Sequence, residues 1–233
     1  MKRFWDTATV QPAEHGYGIA LDGRPLRLPG GSTLHLDNLA IAEAVAAEWA
    51  TAGERKGAEL SMEQVPLTRL VGTAVDRIAK DPAPSAEAIA QYGEADLLCY
   101  RAEDRRLAAL QAEAWQPLLD WAALHHDAPL NVTSGITHVA QPEASLRALN
   151  AAVAAHNPYG ISALGIAVPA MGSLVLGLAL SAGRLDAAEA HRLATLDETY
   201  QESFWGADAE ATARRARIAE DIALAARLLE LSR

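Results

Sequence analysis

Up to about Leu36 the pattern of apolar and polar positions fits short strands. Tyr17-Gly18-Ile19-Ala20-Leu21 is an extended run, followed by Asp22-Gly23 and then Arg24-Pro25-Leu26-Arg27-Leu28-Pro29. Asp-Gly between two such runs predicts a two-residue type I′ hairpin turn, in which both central residues need positive φ. Pro25 has no N–H to give a ladder, so its strand belongs at a sheet edge. Gly30-Gly31-Ser32 predicts a further turn, and Thr33-Leu34-His35-Leu36 one more strand.

From Asp37 the apolar period becomes helical. Leu39, Ile41, Ala42, Val45, Ala46 and Trp49 form one helical face, with Asp37 or Asn38 as cap and Gly53 as terminator. Pro66 suits a first helical turn and opens a second amphipathic stretch: Leu67, Leu70, Val71, Ala74, Val75 and Ile78. Asp81-Pro82-Ala83-Pro84 interrupts the pattern. It divides the chain into a small α+β part with a β-hairpin sheet, residues 1–82, and a larger all-α part, residues 83–233. Helices are expected there over residues 85–100 (capped by Ser85), 104–125 (with Pro117 inside), 143–156, 186–204 and 208–231. Residues 161–182 carry no charge and reach the length of a membrane span. Their glycines, serines and proline, and the lack of flanking basic clusters, favour a buried core helix instead.

Composition narrows the function classes. The chain has 233 residues, half of them hydrophobic, and a formal net charge of −10. That is enough for a substantial core. The acidic balance disfavours binding to nucleic acid or anionic membranes. Cys99 is the single cysteine, in the apolar run Leu97-Leu98-Cys99-Tyr100, so a buried inert thiol in a reducing compartment is expected. The start, Met1-Lys2-Arg3-Phe4-Trp5-Asp6, lacks the apolar core of a secretory signal, which fits a cytoplasmic protein.

The chemistry-bearing patterns are sparse. There is no Gly-rich phosphate loop, no Cys pair and no His-x-x-x-His. His125-His126 suggests a solvated helix end. The richest signature is Leu196-Asp197-Glu198-Thr199-Tyr200-Gln201, followed by Phe204-Trp205-Gly206. On a helix Glu198, Gln201 and Trp205 share a stripe, and an aromatic flanked by polar groups is a typical interface anchor. Asp197, Glu198, Gln201 and Trp205 are therefore the candidate partner-binding residues, against the plainer reading that Phe204 and Trp205 pack in the core. Glu198→Lys is expected to leave the fold intact and weaken capture. Trp49, Arg69 and Asp76 are expected to be structural or to lie at the junction of the two parts. A different class, a small-molecule enzyme with a cleft between the parts, would draw on Arg69, Asp76, Tyr100 and Arg101.

A series of short motifs runs in order along nearly the whole chain. It includes Arg3-Phe4-Trp5, Leu21-Asp22-Gly23-Arg24-Pro25-Leu26-Arg27, Ala44-Val45-Ala46-Ala47-Glu48-Trp49, Pro66-Leu67-Thr68-Arg69-Leu70 and Thr73-Ala74-Val75-Asp76-Arg77. Asp96-Leu97-Leu98-Cys99-Tyr100-Arg101-Ala102 is the most distinctive. Trp115-Gln116-Pro117-Leu118-Leu119-Asp120-Trp121, Gly172-Ser173-Leu174-Val175-Leu176 and the Leu196 motif complete it. In this the chain resembles the assembly chaperones of the F-type ATP synthase that bind the α subunit of the catalytic head. It departs from them at Gln116, where an acid is usual, and at Gly72, where a larger residue is usual. The resemblance implies a small α+β part joined to a helical one. It also implies no catalysis and no cofactor, the α subunit as partner, and release when the β subunit takes its place.

Overall fold

The computed structural model describes residues 2–53, 55–206 and 208–233; Met1, part of the basic start, lies outside them. Strands β1 (Ala8–Pro12), β2 (Tyr17–Leu21), β3 (Arg24–Pro25) and β4 (His35–Leu36) form one antiparallel sheet around β2. β1 pairs along one side of β2, while β3 and β4 share the other. Asp22 (φ 48°) and Gly23 (φ 79°) make the expected turn, with Leu21 opposite Arg24. Pro25 sits on an edge strand. The Asp22 carboxylate accepts from the backbone N–H groups of Asp6 and Thr7, so the turn also anchors the chain entering β1. β1 is half polar and was not legible as a strand; it forms because β2 offers it a ladder.

Helix α1 (Leu39–Thr51) is capped by Asn38, whose side chain accepts from the Ile41 N–H. Asp37 instead accepts from the Tyr159 hydroxyl. Leu39, expected on the apolar face, lies at the first turn and is 44% exposed. The rest of that face is buried, and Trp49 donates to Thr68 Oγ1 at 2.8 Å. Trp5 packs tilted against Trp49, with ring centroids 5.1 Å apart, and donates to its carbonyl. Arg3 reaches the carbonyls of Ala50, Ala52 and Gly53, a cation on the negative end of α1. Helix α2 (Pro66–Thr73) begins at its proline, and Glu48 accepts from the Leu67 and Thr68 N–H groups at that helix start. At Gly72 an added Cβ would come within 3.0 Å of Leu28: the Leu28 side chain fills the space that a larger residue would need.

Beyond α2 the chain makes one π-helical turn, Ala74–Ile78, closed by Ala79 N–H to the Ala74 carbonyl at 2.8 Å. Three expectations for the C-terminal part are corrected. First, the helix expected over residues 85–100 is α3 (Ala83–Ala90) alone, with Ser85 inside it rather than capping it. It unwinds through 3₁₀ turns at Gln91–Ala95 and Leu97–Cys99 into β5 (Tyr100–Arg101). β5 pairs in parallel with β6 (Thr133–Ser134), so the helical part contains one small two-stranded ladder. Second, residues 161–182 belong to two helices, α6 (Pro158–Met171) and α7 (Leu174–Ser181). Gly172, at φ 63°, breaks them and Ser173 caps the second. Both are buried, and no helix among the described residues is long and apolar enough to cross a membrane. Third, the expected helix over residues 186–204 is α8 (Ala187–Ala194) and α9 (Leu196–Trp205), with a bend at Thr195.

Helices α4 (Arg105–His126, containing Pro117), α5 (Glu143–Ala154) and α10 (Ala209–Leu231) lie close to expectation. His125 and His126 close α4, as expected of a helix end: His125 is exposed and His126 half-buried, and both rings pack on Trp121. α6 lies against α2, the π turn, α3 and α10. The buried apolar side chains accordingly run without a break from Trp5 and Trp49 to Trp115, Ala167 and Leu228.

Asp96 ties this core together. It is fully buried and has no cationic partner among the described residues. Its Oδ1 accepts from Leu98 N–H (3.0 Å) and Ser173 Oγ (2.7 Å), and its Oδ2 from Val175 N–H (2.9 Å). Ser173 Oγ in turn accepts from Leu176 N–H. The carboxylate thus caps a 3₁₀ turn and the start of α7 at once. Burial pushes its pKa up, opposed by these hydrogen bonds.

Candidate functional site

Helix α9 carries all four candidate partner-binding residues, and the structure places them in different roles. Trp205 is 87% exposed and Phe204 60% exposed at its C-terminal end. The core reading of these two aromatics is therefore wrong. Phe204 packs edge-on to Tyr200 at 5.0 Å, and the Tyr200 hydroxyl donates to the α4 cap, Asp104. Gln201 is exposed with no side-chain hydrogen bond among the described residues. Gly206, at φ 85°, ends the helix directly after Trp205.

The carboxylates of α9 are largely engaged within the chain. Glu198 pairs with Arg214 at 2.8 Å and lies 3.7 Å from Arg215; Glu202 pairs with Arg215 at 2.6 Å. Both arginines belong to α10, so this network fastens α9 to α10. A lysine at position 198 would face two arginines and loosen that contact. Glu198→Lys is thus a poor test of a free contact residue, contrary to the sequence expectation. Asp197 points the other way, and the amide of buried Gln111 donates to its Oδ1 at 2.8 Å. Burial raises the Asp197 pKa and the neighbouring Glu198 adds to that, while Gln111 and Arg101 oppose it.

Asp197 lines a surface hollow of about 720 Å³ together with Tyr100, Arg101, Gln111, Gly135 and Ile136. Ile136 stands at its rim, 99% exposed. Arg101 is positioned by its donation to the Leu98 carbonyl and by stacking over Trp115 at 5.5 Å. On the other side of α9 a second hollow of about 640 Å³ runs between α4, α8 and α9, lined by Leu110, Ala114, Leu196, Thr199 and Tyr200 with Glu113, Glu189 and Arg192. α9 is therefore a ridge between two grooves, with exposed Leu110, Ile136, Phe204 and Trp205 around it. Gln111, Leu110 and Ile136 carried no signal of their own in the sequence; their part in the surface arises from folding.

The residues suggested for an enzymatic cleft do not converge. Arg69 and Asp76 line one groove beside Leu28 and Met62, whereas Tyr100 and Arg101 line the hollow at Asp197. Asp76 accepts from Ser32 Oγ at 3.0 Å, holding the β3–β4 loop to the π turn. Trp49 is buried, as expected of a structural residue. Cys99 is fully buried and its thiol is pushed up to about 12, chiefly by desolvation.

Comparison with known proteins agrees with this architecture. The model of the ATP12 chaperone protein family matches residues 2–123. The crystal structure of Atp12 from Paracoccus denitrificans superposes with a TM-score of 0.92 at 39% identity, covering 100% of this chain and 98% of that one. A point mutant of the same Paracoccus protein gives the same values. A protein of Agrobacterium tumefaciens is 36% identical with a TM-score of 0.91, over 98% of this chain and 85% of that one. With more than half of its length matched by the family model and a full-length relative at this identity, the chain belongs to the ATP12 chaperone family.

Proposed function

We propose that this chain is a cytoplasmic bacterial chaperone that binds the unassembled α subunit of the F-type ATP synthase head. It covers the α subunit's assembly interface until the β subunit displaces it. Membership of a chaperone family supports the class of activity. The exposed Phe204 and Trp205 on the α9 ridge are the observation that carries the site. Large aromatics left in water beside grooves of mixed polar and apolar lining mark an interaction surface. Glu198 and Glu202 are paired with arginines of α10, so the exposed aromatics Phe204 and Trp205, with the polar Gln201 and Ser203 beside them, are what the ridge offers a partner. Subunits of a ring expose apolar interfaces before assembly, and such surfaces aggregate unless covered.

The test is titration calorimetry of the purified chain against isolated ATP synthase α subunit, followed by addition of β subunit. Trp205→Ala with Phe204→Ala is expected to weaken binding about 30-fold or more, since an anchor of this kind contributes about 2–4 kcal/mol. Unfolding stability should stay within about 0.5 kcal/mol of the parent, because both rings are exposed. Full-strength binding by the double variant removes α9 from the interface. Absence of any α-subunit binding by the parent rejects the partner.

A further inference from the structure

A second surface lies away from α9, where the first half of the chain meets the helical part. α2 and its π turn form one wall of a groove of about 390 Å³; α3, α6 and α10 form the rest. Its floor is apolar: Leu70, Ile78, Ile89 and Ile161 are buried side chains whose edges line it, with Ile166 beside them. Gly165 of α6 faces this space, where an added Cβ would meet only Ile89 Cδ1, at 3.9 Å. The wall carries Arg69, Thr73 and Arg77. Both arginines are exposed, and neither guanidinium makes a hydrogen bond or ion pair among the described residues. Among the described residues lining the groove, the charge opposite is Asp221 of α10, attracted by Arg69.

The π turn shapes this wall. In a regular α-helix residues eight apart are displaced by about 80° around the axis, which would carry Arg77 away from Arg69. The i→i+5 bond from Ala79 to Ala74 widens the last turn and returns Arg77 to the side occupied by Arg69 and Thr73. Such insertions disturb regular hydrogen bonding and are frequent at functional sites. Two unpaired guanidiniums over an apolar floor are also unusual for a chain of net charge −10. They match an occupant that is acidic and apolar at once.

We infer that this groove binds an extended acidic–apolar peptide segment of a partner protein. A carboxylate of the segment sits on Arg69 and Arg77, and its apolar side chain lies over Ile78, Ile89 and Ile166. Guanidinium–carboxylate pairing can be bidentate, and the floor supplies the apolar contact that holds the segment in register. The site is independent of α9, and its test needs no ATP synthase subunit.

The probe is a fluorescein-labelled, acetylated decapeptide of alternating leucine and glutamate, titrated against the whole chain by fluorescence anisotropy. The same peptide with lysine for glutamate is the control. Saturable binding of the glutamate peptide alone is expected. It should weaken at least tenfold in the Arg69→Gln/Arg77→Gln variant, and similarly in Gly165→Leu, which fills the groove without changing charge. Circular dichroism should show both variants folded, since the arginines are unpaired and a helical glycine is replaced by a better helix former. Equal binding of both peptides, undiminished binding by either folded variant, or no binding at all would overturn the proposal. Displacement of the peptide by millimolar inorganic phosphate alone would also overturn it, by showing a bare anion site.

Discussion

Removing the Asp96 side chain is expected to destabilise the protein more than its single position suggests. In Asp96→Ala three buried donors lose their acceptor: the N–H groups of Leu98 and Val175 and the hydroxyl of Ser173. Each orphaned donor costs about 1–3 kcal/mol. The variant also relieves the burial of a charge, whose raised pKa shows that burial is unfavourable. The expected net loss is about 2–5 kcal/mol. Asp96→Asn should lose less, about 1–2 kcal/mol. If the amide oxygen replaces Oδ1 it keeps Leu98 and Ser173, but its NH₂ then opposes the Val175 N–H. The assay is urea unfolding followed by circular dichroism. With an m-value of about 3 kcal/mol/M for a chain of this size, a loss of 3 kcal/mol moves the midpoint down by about 1 M. Ser173→Ala should couple with Asp96→Ala, the double variant losing less than the sum. The pH dependence has a defined sign. The folded-state pKa lies above the unfolded one, so the parent takes up a proton on folding. Its stability relative to Asp96→Asn should rise as pH falls through the folded-state value and level off below the unfolded value. Midpoints of both variants within about 0.2 M of the parent would refute the reasoning, as would a relative stability that falls over that pH range.

Two further outcomes follow from the packing. Gly177→Ala should cost about 1–3 kcal/mol, because its added methyl would run into Val168 where α7 crosses α6; thermal unfolding measures it, and an unchanged Tm would contradict the close approach. Cys99, buried and with its thiol pushed up to about 12, should resist a thiol-specific disulfide reagent at pH 8 and react within the same time in denaturing urea; rapid labelling of the folded chain would contradict its burial.

Several features could be read from sequence because the physics behind them is local. Asp22-Gly23 needs positive φ at both positions, and no distant contact is required to choose that turn. Asn38 before the first helix and Pro66 at the second act within one turn of their own backbone. The ordered motifs from Arg3-Phe4-Trp5 to the Leu196 stretch likewise pointed to the chaperone family, because order along the chain survives without coordinates. The split of residues 161–182 was not visible, since every position there is apolar or small and both helices are buried. It follows from the left-handed Gly172, and from Asp96, 77 residues away from Ser173, taking the hydroxyl and the Val175 N–H. The same long-range bonds help to end the helix expected through Tyr100. On α9, periodicity put Glu198, Gln201 and Trp205 on one stripe but could not say which side faced water. That was decided by α10, whose Arg214 and Arg215 take Glu198 and Glu202 and leave Phe204 and Trp205 outside. Sequence alone therefore determined the Asp22-Gly23 turn, the starts of the first two helices and the family, but not the cap of α3. Tertiary packing decided which helices break, which charges are already paired and which aromatics stay exposed, because those depend on atoms that only folding brings together.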